Sequence, residues 1–211
     1  MSIRPLRGIG GAALLVGGAL ATEFCSKPAA APTPAIPDVK AIVSVKELME
    51  NVIDPIADNV FDAVGADITA KGLVETKPKT DEDWAKVRIG AVTLAEGSNL
   101  LKIPRRIAPP GDKNNSGGPN APELSPEDIQ AKVDADRALW NKHADGLRDV
   151  ALKVLDLVNR KDADQLFQVG SELDKACENC HLEYWYPGDK KAVLEDEAKR
   201  ATIVPRRKSR K

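Results

Sequence analysis

The chain has 211 residues, which allows one domain with tails, and its formal net charge is −1, with 31 basic and 32 acidic side chains. So even a balance argues against a nucleic-acid or membrane-surface role for the body of the protein. Aromatic residues make up only 4%. The abundant Ala, Val and Leu suit a core built from helices.

Residues 1–31 read as an export signal. Arg4 and Arg7 form a basic start, and Ile9 to Ala21 is an uncharged apolar stretch of 13 residues. That is too short for a membrane span and right for the apolar region of a signal peptide. Ala19-Leu20-Ala21 and Ala29-Ala30-Ala31 are both small-residue cleavage candidates. No later segment is long and apolar enough to cross a bilayer, so the expected product is soluble in the periplasm. Cys25, after the apolar stretch, resembles the tether of a bacterial lipoprotein, but Glu23-Phe24 stand where that pattern wants small residues. Membrane contact is expected only if Cys25 is lipidated. Residues 32–43 form a Pro/Ala linker.

Four helices are predicted within 44–187. Ser44 caps the first, whose apolar face is Val45, Leu48, Met49, Val52, Ile53, Ile56, Val60, Phe61 and Val64. Pro55 lies inside it and should kink the helix without ending it. Gly65, Gly72 and Pro78 punctuate a loop. Thr80-Asp81 opens the second helix, with Trp84, Val87, Ala91, Leu94, Ala95, Ser98 and Leu101 on one side, and Pro104 stops it. Arg105 to Glu123 reads as a long exposed loop. Ser125-Pro126-Glu127-Asp128 starts a third helix running to about Arg160. Asp162, with Gln165 three positions on, caps a fourth that carries Leu166, Gly170, Leu173, Cys177, Cys180, His181 and Tyr184 and ends at Pro187-Gly188. No strand-period segment of useful length is found. The fold class expected is all-α, an antiparallel up-down-up-down four-helix bundle. Residues 188–211 read as a charged, disordered tail, or at most a short charged helix, ending in Arg206-Arg207-Lys208-Ser209-Arg210-Lys211.

Chemistry concentrates in Cys177-Glu178-Asn179-Cys180-His181, the C-x-x-C-H attachment pattern of a c-type haem. Two thiols three positions apart each add to a vinyl group of one porphyrin, and the following His brings a ring nitrogen to the iron. A redox C-x-x-C needs a helix N-terminus to lower its thiol pKa, whereas this motif closes a helix. A structural zinc site needs four ligands, and beyond the motif only Cys25 and His143 remain. The cofactor expected is therefore one covalent haem c per chain, with Cys177 and Cys180 as thioethers and His181 as proximal iron ligand. In an up-down-up-down bundle, the start of the first helix and the end of the fourth share one end. Met49 falls ~8 Å and His181 ~6 Å from that end, which makes Met49 the candidate distal ligand. His143, 18 residues beyond Ser125, falls ~27 Å away and is set aside.

The C-terminal haem motif, the four-helix pattern and the early Met49 resemble the cytochrome c′ superfamily, most closely its low-spin His/Met relatives. Asp54-Pro55-Ile56-Ala57-Asp58, Ala91-Val92-Thr93-Leu94-Ala95-Glu96 and His181-Leu182-Glu183-Tyr184-Trp185 add softer likeness over residues 44–187. The long loop before the third helix and the basic tail depart from the pattern. With both axial positions filled, the expected activity is electron transfer between Fe(III) and Fe(II) with periplasmic redox partner proteins, and not enzymatic turnover. The alternatives are a five-coordinate cytochrome c′-like protein binding NO or CO, or a haem subunit of a larger redox complex. A homodimer is left open.

Overall fold

The computed structural model describes residues 39–70, 72–113 and 121–203. The export signal, Cys25 and the basic end at 204–211 lie outside the described residues. The chain is mostly helical: α1 Val45–Leu48, a π-helical turn Met49–Ile53, α2 Asp54–Phe61, β1 Gly65–Thr69, β2 Gly72–Thr76, α3 Asp81–Leu101, α4 Pro126–Ala135, α5 Arg137–Arg160, α6 Ala163–Tyr184 and α7 Lys190–Ile203.

Capping fixes where the helices begin. Ser44 and Glu47 exchange side-chain and backbone hydrogen bonds in a capping box, and Thr80 and Asp83 do the same for α3. Ser125 caps α4. Asp162 caps α6 through the backbone N–H of Gln165 at 3.0 Å.

α3 packs on α2 and α5, and α5 packs on α6. The shared core is lined by Val87, Ala91 and Leu94 of α3, Ala151 and Val154 of α5, and Leu166 and Leu173 of α6. Gly90 permits the close approach of α3 to α2: a Cβ there would lie 3.0 Å from the Ile56 carbonyl oxygen and 3.0 Å from Val60 Cγ2.

The ends of the helices meet in a definite way. The start of α1 is tied to the segment after α3, with the Val45 and Lys46 N–H groups donating to the Arg106 and Ile107 carbonyls at 3.0 and 2.9 Å. Trp140 Nε1, one turn into α5, donates to the Leu101 carbonyl at the end of α3 at 2.9 Å. The Trp140 ring meets the Tyr184 ring at the end of α6 edge-on, with centroids 5.0 Å apart. The start of α1, the end of α3, the start of α5 and the end of α6 are thereby gathered at one place.

Five expectations change. The loop after the first predicted helix is a β-hairpin, with Ile68 opposite Leu73 and Asp67 opposite Val74. Gly72, at φ +106°, supplies its turn geometry. Its strands are exposed, so no buried face imposes the alternation that marks a strand.

The first helix does not simply kink. Pro55 has no N–H to donate to the carbonyl of Asn51, and the backbone before it widens into a π turn in which the Asp54 N–H reaches the Met49 carbonyl.

The third predicted helix is two helices. Asp136 leaves helical space at φ −141°, ψ 76°, ends α4, and caps α5 with its own side chain through the Leu139 N–H at 2.9 Å. The segment before α4 is not wholly exposed, since Ile107 and Ala108 are buried. Finally, the charged tail is helical over Lys190–Ile203.

Candidate haem-attachment site

α6 places Cys177, Cys180 and His181 in its last two turns, and the helix stops at Tyr184. Both cysteines are free, half-buried and packed against the hydrophobic core. Burial pushes the Cys177 thiol up to about 11, with the carboxylates of Asp174, Asp54 and Glu178 adding to it. Burial pushes the Cys180 thiol up to about 12, helped by Cys177 and Glu183. At neutral pH both are thiols, as expected where a helix C-terminus and nearby acids oppose a thiolate. A disulfide-exchange centre of the thioredoxin kind needs the reverse.

His181 is kept below the ordinary imidazole value by burial, against the opposing pull of Asp54 and Glu123. It is therefore neutral at pH 7, with a lone pair to offer a metal. Its backbone carbonyl accepts from Trp185 N–H at 2.7 Å and Tyr186 N–H at 3.1 Å. The rings of those two residues stand 5.9 and 6.1 Å from the imidazole. The Leu124 N–H donates to the Trp185 carbonyl at 2.8 Å, which ties the chain before α4 to the end of the motif helix.

His181 and Met49 line one cavity of about 210 Å³, together with Lys46, Glu50, Glu123, Trp185 and Tyr186. Met49 lies at the start of the π turn, directly after α1. Lys46, one turn earlier, is anchored to Asp112 at 2.8 Å.

The donor set fits a c-type haem in kind. Two protonated thiols at the required spacing, a neutral imidazole in the next position and a thioether on the same cavity are all present. Among the described residues, no three His, Cys, Asp or Glu side chains are gathered to hold a metal ion directly, so a zinc-like site is not built. The cavity is smaller than a porphyrin, and a bound macrocycle would displace side chains that now pack there.

His143 is not where the helix count put it. Its ring lies 5.9 Å from that of Tyr184, near the end of α6. The break at Asp136 is the reason: measured from there, His143 is seven residues into its helix, ~10 Å, in place of ~27 Å. Burial, with smaller effects of Lys190 and Lys142, lowers its pKa against the pull of Glu183. It does not line the cavity that Met49 and His181 share.

Sequence reasoning missed Lys46, Glu50, Glu123 and Tyr186 as neighbours of the motif. The step from Lys46 to Met49 was a readable helical signal. Glu123 comes from irregular chain and had none. Also missed was the state of Tyr184, which is 1% exposed and clamped between Trp140 and His143. Among the described residues its hydroxyl has no hydrogen-bond partner. A buried hydroxyl left so costs about 1–3 kcal/mol.

No protein-family model, curated protein or solved structure matches this chain.

Proposed function

We propose that this chain is an exported electron-transfer c-type cytochrome, carrying one haem c on an antiparallel four-helix bundle akin to the cytochrome c′ superfamily. The observation that carries the reading is the placement of Met49 on the same cavity as His181, beside a C-x-x-C-H motif whose cysteines are protonated and half-buried. The bundle reading is supported by the neighbour order α2, α3, α5, α6 and by the meeting of their ends around Trp140.

When bound, the haem iron supplies reversible one-electron exchange. Cys177 and Cys180 would hold the group by thioether bonds, which would keep it from being lost by an extracytoplasmic protein. His181 would offer a neutral nitrogen to the iron. Met49 would offer a soft sulfur, a ligand type that favours Fe(II) and raises the potential, and would leave little room for a gas or substrate. Trp185 and Tyr186 hold the imidazole from its flank and limit water around it.

Denaturation in acid acetone should leave haem on the polypeptide at one iron per chain, and Cys177→Ser with Cys180→Ser should abolish its retention. Haem extracted into the solvent defeats the assignment. Met49→Ala should abolish the weak far-red charge-transfer band of a ferric iron–thioether bond, admit carbon monoxide and lower the potential. A high-spin ferric spectrum in the unmodified protein would instead favour the five-coordinate, gas-binding alternative.

A further inference from the structure

One face of α5 carries charge in an order that fits a second copy of itself. Asp149, Lys153, Asp156 and Arg160 recur at steps of four, three and four residues, so they form one row along the helix. At about 100° per residue that row lies opposite Ala144, Ala151, Val154 and Val158, which are buried in the core. All four charged side chains are more than half exposed. Beside them Leu152 is 48% exposed, and with Leu157 and Val169 it lines a groove between α5 and α6.

A charged helix face ordinarily pairs within itself, and Asp156 does so with Arg160 at 2.9 Å. The other half of the row is different. Asp149 and Lys153 stand four apart with the acid first, the favourable order. Yet Asp149 pairs back to Arg148 at 2.8 Å, and Lys153 crosses to Glu172 of α6 at 2.6 Å. Solvent-exposed pairs of this kind contribute little to stability, so they can be exchanged for others at little cost.

The signs of the row run −, +, −, +. Read in the opposite direction they run +, −, +, −, so the row is complementary to its own antiparallel copy. With a two-fold axis between Val154 and Leu155, Asp149 meets Arg160 of the second copy and Lys153 meets Asp156, each contact occurring twice. No other antiparallel register gives all four residues an opposite charge, and a parallel pairing in register sets like against like.

We propose that α5 is a homodimer face, on which two chains pair antiparallel through the Asp149–Arg160 row, with Leu152 of each copy inside the paired span. An unrelated partner would need the same four signs at the same spacing, whereas a second copy brings them by symmetry. The row spans three turns, ~18 Å. That is small for a specific interface, so the dissociation constant should lie above about 10 μM. The axis lies ~22 Å along α5 from Trp140, so the motif-bearing ends sit at opposite ends of the dimer and both stay open. This pairing is independent of the haem reading.

The test is sedimentation velocity on the full chain, with reductant present so that no disulfide through Cys25 contributes. At low salt the average mass should rise with concentration toward that of a dimer. Raising the salt from about 0.01 M to about 1 M should weaken the association by at least about tenfold, because the contacts are screened. Arg160→Glu and Asp149→Lys should each weaken it by a similar factor, since each sets like charges against one another at two of the four contacts. An equimolar mixture of these two variants should recover most of the dimer, because every contact is then opposite in sign. Lys153→Glu with Asp156→Lys gives a second such pair, should a variant of the first fail to fold. A chain that stays monomeric at about 1 mM in low salt would overturn the proposal. So would variants that dimerise like the unmodified chain, or mixtures that stay monomeric.

Discussion

The two ends of the helical body are held by different forces. At the site end, buried backbone and aromatic contacts do the work: Val45 N–H on Arg106, Leu124 N–H on Trp185, Trp140 Nε1 on Leu101, and the Trp140–Tyr184 ring pair. At the other end, exposed charges bridge the elements, with Lys161 to Asp81 at 2.5 Å and Lys77 to Asp164 at 2.9 Å, beside a hairpin whose Ile68 is 91% exposed. Exposed ion pairs are screened and lose side-chain entropy on forming, and a lone two-stranded hairpin is marginal in water. The contrast teaches that buried packing is concentrated at the end that carries the C-x-x-C-H motif, while the far end can vary at little cost.

The largest effect that would sharpen this contrast is at Trp140. Trp140→Ala should lower the unfolding free energy in urea by about 3–5 kcal/mol, since it removes a buried indole and orphans the Leu101 carbonyl. A loss below about 1 kcal/mol would break the comparison, because the site end would then not be the clamp.

Gly90→Ala probes the seam of α2 and α3 that connects the two ends. It should cost about 1–3 kcal/mol by overpacking against Ile56 and Val60, and a stabilised variant would show that the seam is loose.

A pH effect should follow at His143. Burial lowers its pKa, so below the ordinary imidazole value of about 6.5 the unfolded chain binds a proton that the folded chain does not. Stability should therefore fall as pH drops through that window and level off below the folded value. His143→Gln should reduce the slope in urea melts taken across it, leaving the share of His181, whose pKa burial also lowers. An unchanged slope would place the imidazole in water, and outside the buried end.

The smallest effects belong to the far end. Ile68→Thr and Leu73→Thr should each stay within about 0.5 kcal/mol, and Lys161→Ala should leave the melt unchanged. A large loss at any of these would show that the hairpin or its ion pairs are structural.

Much of this was legible in the residues, and the failures have physical causes. Capping chemistry located the starts at Ser44, Thr80, Ser125 and Asp162, because each side chain satisfies N–H groups that no helix can satisfy itself. The Cys177–His181 motif was visible in the sequence since its spacing is local rather than topological, and its place in the last two turns of α6 follows from the helix that carries it. Asp136 was not readable as a break: apolar period continues through it, and an Asp can end one helix and cap the next only when tertiary packing favours the turn. That single residue carried the error at His143. The hairpin escaped because an exposed strand leaves no periodic trace. The orphaned hydroxyl of Tyr184 exists only once Trp140 and His143 close on it.

The π turn before Pro55 has a heritable consequence. Buried positions through the first two helices run Val45, Leu48, Ile53, Ala57 and Val60, and the five-residue step from Leu48 to Ile53 is one that an α-helix cannot make on a single face. Deleting one residue from that turn would rotate everything before it by about 100° relative to α2. Lys46 and Met49 would swing out of the cavity, while Ile53, Ala57 and Val60 kept their places against α3. The aim of Met49 is thus separable from the integrity of the core. A single-codon insertion or deletion can change what faces His181 without obliging the rest of the molecule to be rebuilt.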